Sequence, residues 1–191
     1  MLYLPENYYY VYNRGNKKQP IFLEAENYRF LLRRLNVYLS KAGAELAAYC
    51  LMPNHFHLIV YLAKETDFSN TLRAFTTSYV RLFNNRYGRV GYLYQGNTKA
   101  RLVDQEAYLI HLCRYIHLNP VCARLVQAPI DWQCSDYRDW ISDGLPQKSC
   151  VKLTRQPFFR AGGDYREFVE RYVAEARIRA ADERRRFESE D

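Results

Sequence analysis

The chain has 191 residues, enough for one well-buried core rather than two. Its hydrophobic content of 48% and charged content of 26% are those of an ordinary globular protein, and no apolar run approaches the ~18 residues that span a bilayer. The net charge of +7 and the isoelectric point near 9.1 favour a polyanionic partner. Because residues 1–6 lack the basic and apolar regions of a secretion signal, we expect a cytoplasmic protein with no membrane contact.

The cysteines favour reduced thiols over disulfides. Their number is odd, and no two of them form a CxxC pair. Both features argue against a disulfide framework and against a structural zinc site built from such pairs. The five residues are Cys50, Cys113, Cys122, Cys134 and Cys150.

The first third of the chain predicts three strands and a helix. Aromatic and β-branched residues indicate a strand over residues 8–12. Apolar residues at helical spacing predict a helix over residues 27–41, which Gly43 ends. Two more strands are expected over residues 46–51 and 55–62, joined by a Pro-Asn turn.

The middle of the chain predicts a long helix and a fourth strand. Asp67 or Ser69 can cap the helix, whose apolar residues from Leu72 onward share one face. Gly88 stops this helix, and residues 92–103 hold the strand.

A third helix is predicted over residues 106–118. Pro120 should close it, because proline lacks an amide hydrogen and disfavours helical geometry in the residue before it. After a loop-rich stretch, the Gly-Leu-Pro sequence at residues 144–146 separates a tail, in which residues 165–186 read as a charged helix. We therefore expect a core domain over residues 1–145 and a tail over residues 146–191.

This order of elements predicts the fold class. Strand, helix, strand, strand, helix, strand is the order of an α+β, ferredoxin-like (split βαβ) fold. We expect an antiparallel sheet with helices on one face, followed by the helical tail.

The positive charge is concentrated in one segment. No acidic residue lies between Asp67 and Asp104, whereas six basic residues and several aromatic ones do. A solvated helix surface usually mixes both signs of charge, so this segment predicts nucleic-acid binding, with rings that can stack on unpaired bases. The candidate phosphate contacts are Arg73, Arg81, Arg86, Arg89, Lys99 and Arg101.

The triplet His55-Phe56-His57 lies in the third predicted strand. Because residues i and i+2 of a strand share a face, both imidazoles point the same way while Phe56 points into the core. Two histidines on one face are half of a metal site. The alternative is a pair of exposed strand histidines that bind nothing.

Tyr115 and Asn119 are four residues apart, which places them on one face of a helix. The amide oxygen of Asn119 is a hard ligand suited to Mg²⁺ or Mn²⁺. The alternative is a helix end in which Tyr115 packs in the core.

Two segments resemble REP-associated tyrosine transposases, which are single-tyrosine members of the HUH endonuclease superfamily and relatives of small insertion-sequence transposases. The segments are Met52–Val60 and Arg114–Val121. The similarity runs from about Tyr8 to Tyr137 and includes the turn Asn13–Asn16 and the segment Gly91–Gly96.

The resemblance implies a role for each matching position. His55 and His57 match the metal-binding pair, Asn119 matches a third, amide-type ligand, and Tyr115 matches the nucleophile. The implied cofactor is Mg²⁺ or Mn²⁺, with no small-molecule cofactor. The implied reaction is cleavage and rejoining of single-stranded DNA beside a REP-type hairpin, through a 5′-phosphotyrosine link. Arg14, in the matching turn, joins the expected DNA contacts, and a monomer is slightly favoured over a dimer.

The chain departs from the family pattern at two places. Asn97 follows the Gln-Gly pair where many relatives have arginine, and Cys122 and Arg124 flank Ala123 where many read Arg-Ala-Gly. Both changes remove an expected DNA contact and leave the metal and nucleophile positions intact.

Two other functions fit parts of the sequence. A non-catalytic nucleic-acid-binding protein on the same fold would share the charged aromatic segment, but it would have no use for the histidine pair and Tyr115. A zinc site could combine the histidines with Cys50 or Cys113. His117 is expected to be structural. His111, four residues before Tyr115, could orient or deprotonate that tyrosine, although a packing role is favoured.

Overall fold

The computed structural model describes residues 3–143 and 149–175 of the chain. The described residues form two compact units. One unit holds residues 3–47 and 51–109, and the other holds residues 48–50 and those from 110 onward. The boundary predicted between residues 145 and 146 lies outside the described residues and stays a prediction. No helix in the described ranges is long and apolar enough to cross a membrane.

The sheet has four strands in the order β2-β3-β1-β4. They are β1 (Asn7–Arg14), β2 (Ala44–Met52), β3 (His55–Leu62) and β4 (Lys99–Val103). The central strand β1 pairs antiparallel with β3 on one side and with β4 on the other. With one helix after β1 and one after β3, this topology confirms the predicted ferredoxin-like fold.

The first two helices have well-defined ends. Helix α1 (Ala25–Ala42) ends at Gly43, which adopts the left-handed conformation with φ 65°, where glycine has no steric penalty. Helix α2 (Phe68–Arg86) begins after Asp67, whose side chain accepts a hydrogen bond from the amide of Asn70. Of the two predicted caps for α2, the structure therefore selects Asp67.

Helix α2 covers one face of the sheet. Its Phe75 ring lies 6.4 Å from Phe56 of β3, and its Phe68 ring lies 5.9 Å from Tyr9 of β1. All four rings are buried, and α1 packs against α2. Because strand residues alternate between faces, the neighbours of Phe56 in sequence must point to the opposite side of the sheet.

The prediction that Pro120 closes the third helix is wrong. Helix α3 (Glu106–Cys122) continues through the proline. Proline removes one amide donor, but the next turn still forms: the amide of Ala123 donates to the carbonyl of Asn119, and that of Leu125 to the carbonyl of Pro120. The side-chain amide of Asn119 also donates to the carbonyl of Tyr115 at 2.9 Å, which ties both residues to one turn of helix.

Further helices follow α3 in the described part of the second unit. Two of them, α4 (Tyr137–Ile141) and α6 (Gly162–Glu170), pack together, and α5 (Ser149–Arg155) lies between them in sequence. The tail helix predicted from residue 165 begins three residues earlier as α6, because the carboxylate of Asp164 accepts the amides of Arg160 and Ala161 at its start. The prediction of one continuous helix is wrong, because α6 ends at Glu170 and a turn follows at residues 171–172. Residues 176–186 of the predicted helix lie outside the described residues.

A buried hydrogen-bond network joins α3 to α6 within this unit. His117 of α3 is fully buried, with Nδ1 2.7 Å from the hydroxyl of Tyr165 and Nε2 3.0 Å from Oδ1 of Asp136. The same carboxylate oxygen accepts the amide of Tyr49 at 2.7 Å. Because a carboxylate only accepts, Nε2 of His117 carries a proton and donates to Asp136, and the hydroxyl of Tyr165 is the partner of Nδ1. His117 therefore has a structural role in this unit.

Replacing Tyr165 with phenylalanine tests this network. The change removes the hydroxyl that bonds to Nδ1 of His117 and leaves this buried ring nitrogen unsatisfied. We expect the free energy of unfolding, measured by urea denaturation, to fall by about 1–3 kcal/mol. Tyr92→Phe, at a ring that is 87% exposed, is the matched control and should leave it unchanged. Equal stability of the two variants would contradict the network.

Candidate active site

The two histidines lie on the sheet face that α2 does not cover. Phe56, between them, points toward Phe75 of α2, so His55 and His57 point the other way. In the antiparallel register of β1 and β3, Tyr12 pairs with His57. The imidazole centres are 4.8 Å apart, so the predicted sharing of one face is confirmed.

Asn54 fixes the tautomer of His55. The side-chain nitrogen of Asn54 donates to the carbonyl of Lys18 at 3.1 Å, which leaves its oxygen to face Nδ1 of His55 at 2.6 Å. Since that oxygen can only accept, Nδ1 of His55 must carry the proton. The lone pair of this imidazole is therefore on Nε2, the arrangement found in histidines that bind metal through Nε2.

Tyr10 orients His57 in a similar way. Its hydroxyl lies 2.6 Å from Nδ1 of His57, and the two rings are stacked, with centres 5.8 Å apart. Burial, helped by the neighbouring His55, lowers the pKa of His57 to about 3. His57 is therefore neutral near pH 7, which is the state that a metal ligand requires.

The same face of the sheet is positively charged. Tyr12 of β1 pairs with Lys99 of β4, and Tyr10 pairs with Arg101. The Lys99 ammonium lies 5.8 Å and the Arg101 guanidinium 5.9 Å from the centre of the Tyr12 ring. Strands β1, β3 and β4 contain no aspartate or glutamate. A phosphate that approaches the histidines from this side therefore meets cations and no strand carboxylate.

Three of the seven predicted DNA contacts belong to this face by their register. They are Arg14, which pairs with His55, together with Lys99 and Arg101. The exposed Arg14 also donates a hydrogen bond to the side chain of Gln95 at 3.0 Å. This bond holds the Arg14 guanidinium beside the loop that leads into β4.

The other four predicted contacts lie on α2 or just after it, and the structure does not bring them to the histidine face. Arg86 forms an ion pair of 2.6 Å with Glu24, which neutralises part of its charge. Arg89 donates to Gln19 and lies over the Phe83 ring. Arg73 and Arg81 are exposed and line one cavity of about 440 Å³.

Tyr115 and Asn119 lie on α3, in the second unit. Tyr115 is 51% exposed, so the alternative in which its ring packs in the core is wrong. About half of this residue is open to solvent, and a nucleophile has to be accessible to its substrate. His111, one turn earlier, is also exposed and contacts the Phe168 ring at 5.6 Å rather than the core.

The structure does not support the alternative zinc site. Across residues 3–143 and 149–175, no three side chains of His, Cys, Asp or Glu come together as a metal site. Burial also raises the pKa of the Cys50 and Cys113 thiols, which favours the neutral thiol over the thiolate that zinc binds.

Three residues around the histidines were not among the predicted site residues. They are Tyr10, Tyr12 and Asn54, which orient the imidazoles or lie beside them. For the tyrosines the sequence carried a signal, because residues spaced by two along β1 share a face. For Asn54 it carried none, since its contact depends on the conformation of the turn.

Comparisons with known proteins relate the chain to one family. The family model described as IS200-like transposase matches residues 7–119, more than half of the chain. A comparison with curated proteins found no significant match.

One solved structure shows the same fold, and a second similarity is weaker. A REP-associated tyrosine transposase bound to a REP hairpin matches with a TM-score of 0.63 and 21% identity, over 76% of this chain and 86% of that one. A protein from Deinococcus radiodurans R1, described as a candidate transposase, has a TM-score of 0.45 and 17% identity, over 60% of this chain and 91% of that one. The family match includes β1, the histidine pair and α3 as far as Asn119, and the chain therefore belongs to the IS200-like transposase family.

Proposed function

We propose that this transposase is a metal-dependent tyrosine endonuclease of the HUH type, which cleaves and rejoins single-stranded DNA. The observation that carries the proposal is the histidine pair: two oriented imidazoles, 4.8 Å apart, on a sheet face whose strands β1, β3 and β4 contain no carboxylate. A non-catalytic DNA-binding protein would need the cations of this face but not the fixed tautomer of His55.

The proposed substrate is a REP-like DNA hairpin with an adjoining unpaired segment. The similar solved protein is bound to a REP hairpin, and we extend that ligand to this chain on the basis of the shared fold. The cations on β4 suit the phosphates of an unpaired strand near the histidines, and the aromatic residues beside them suit its bases.

Tyr115 is the proposed nucleophile. Its phenol oxygen attacks the scissile phosphorus, the new O–P bond forms, and the bond from phosphorus to the 3′-oxygen breaks. The phenol proton is released, and the departing oxygen takes a proton and becomes a free 3′-hydroxyl. The product is a 5′-phosphotyrosine link. When a 3′-hydroxyl attacks this phosphorus in turn, the strand is rejoined and the phenol regenerated, with no external energy source.

His55, His57 and Asn119 are the proposed ligands of Mg²⁺ or Mn²⁺. Such an ion supplies charge neutralisation and polarisation at the scissile phosphate. The residues fit it: the lone pair of His55 is on Nε2, His57 is neutral near pH 7, and the amide oxygen of Asn119 is a hard donor. For His57 to bind through Nε2, its Nδ1–H must donate to the hydroxyl of Tyr10.

Tyr115→Phe tests the assignment of the nucleophile. Incubation with a REP-like hairpin oligonucleotide and Mg²⁺ should give a covalent protein–DNA adduct on denaturing gels, and this variant should form none because it lacks the attacking oxygen. Tyr108→Phe is the matched control, because Tyr108 lies on the same helix and is also 51% exposed. Its adduct should match that of the wild type. DNA binding without an adduct in the wild type, with either metal, would favour the non-catalytic alternative.

Asn54→Ala tests the metal site through the residue that orients His55. The loss of this hydrogen bond should raise the Mg²⁺ concentration for half-maximal adduct formation by about 10–100-fold, and EDTA should abolish the adduct in the wild type. The control is Asn84→Ala, which removes a similar side-chain bond to a backbone carbonyl, that of Gly91. The same metal requirement for both variants, or an adduct that forms in EDTA, would refute the proposed site.

A further inference from the structure

We propose that Tyr12 is a stacking platform for an unpaired DNA base beside the histidine pair, and that Lys99 and Arg101 hold the phosphate of that nucleotide. We call these three residues together the Tyr12 platform. The inference rests on the proposed function, because it assumes that the chain handles single-stranded DNA, and it adds a specific nucleotide-binding site to it.

The first observation is an aromatic stack. The rings of Tyr10 and Tyr12 lie 4.9 Å apart at an interplanar angle of 25°, and Tyr12 is only partly buried. A nucleobase can extend such a stack, since every base has a π face. The stack also reaches the histidines, because Tyr10 contacts Nδ1 of His57 at 2.6 Å. A base on Tyr12 would therefore lie next to the proposed metal ligands.

The second observation is the pair of cations around the same ring. Lys99 and Arg101 are both exposed, and both lie within 6 Å of the Tyr12 centre, at 5.8 and 5.9 Å. An unpaired nucleotide requires a π surface for its base and a positive charge for its phosphate. The Tyr12 ring provides the first and the two cations provide the second, and the neighbouring strands contain no carboxylate. Surface charges that only keep a protein soluble usually mix both signs.

The register gives the position of this nucleotide. Lys99, Tyr12 and His57 are direct partners across the adjacent strands β4, β1 and β3. Two strand spacings are roughly 10 Å, so Lys99 and His57 can reach different phosphates of one chain, with the base between them on Tyr12. The Tyr12 platform would thus hold a nucleotide that flanks the scissile phosphate.

Stacking makes a distinctive prediction about specificity. Because every base can stack, exchange of one base for another at this position should change binding little. The loss of the base should weaken binding strongly. A pocket that reads hydrogen-bonding groups would behave in the opposite way, with a large loss for the wrong base.

The test measures binding in the Tyr115→Phe background, so that no cleavage interferes. The probe is a fluorescent DNA hairpin with a short unpaired extension, and the readout is the Kd from anisotropy. Tyr12→Leu should weaken binding about five- to hundredfold, whereas Tyr12→Phe, which keeps the ring, should bind like the parent. Tyr108→Leu, at an exposed ring of α3 outside the basic segment, is the matched control and should have no effect.

Abasic probes locate the base. One abasic position in the extension should weaken binding by the parent as much as Tyr12→Leu does, and Tyr12→Leu should then lose nothing further on that probe. If Tyr12→Leu and the missing base weakened binding independently at every abasic position, the Tyr12 platform would be refuted. Binding of Tyr12→Leu with the same affinity as the parent would also refute it. An RNA probe of the same sequence that binds more tightly, with the same dependence on Tyr12, would overturn the assignment to DNA.

The cations are tested by the salt dependence of binding. Lys99→Gln should reduce the slope of log K against log salt by about 1, whereas Lys41→Gln, at the exposed end of α1, should not change it. An unchanged slope for Lys99→Gln would contradict the phosphate contact. This measurement stays informative if Tyr12→Leu does not fold. Every binding assay uses a background without the nucleophile, so its result does not depend on cleavage. If the wild type forms no adduct, the nuclease proposal is refuted, whereas the inference about Tyr12 is still decided by the binding assays.

Discussion

The pairing register between β1 and β3 is the constraint on which the candidate site depends. It places Phe56 against α2 and turns His55 and His57 to the opposite face, with Tyr12 beside His57. A shift of one residue would bury both imidazoles under α2 and expose Phe56, because strand side chains alternate. The buried rings on the α2 side make that shift costly, so the hydrophobic core fixes the orientation of the polar site.

Most of the fold could be predicted from the sequence. Helical spacing, strand alternation and Gly43 gave the order of elements and most boundaries within a few residues, because these patterns record which face of each element is buried. The error at Pro120 shows the limit of local rules. One missing amide donor weakens a helix, but the tertiary packing of α3 and the bonds made by the following turn outweigh that loss.

The candidate site was less accessible to sequence reasoning. Alternation was enough to place His55 and His57 on one face. Charge density was not enough to place the arginines: α2 carries Arg73 and Arg81 on the other side of the sheet, while Lys99 and Arg101 lie with the histidines. A run of basic residues in sequence crosses two elements here, and only the topology separates them. Of the two partners that fix the imidazoles, Tyr10 could have been found from its spacing along β1, whereas the contact of Asn54 depends on the conformation of a turn that no linear pattern encodes.

The bond between the Asn119 side chain and the Tyr115 carbonyl has a mechanical consequence. It makes the proposed nucleophile and the proposed third ligand two points on one stiff turn, in a helix that the proline does not interrupt. A rigid-body displacement of that turn would carry the backbones of both residues together, while the phenol ring could still rotate about its own side-chain bonds. Under the proposed function, the nucleophile and the third ligand would then reach a substrate on one element, with the phenol ring able to adjust its own position.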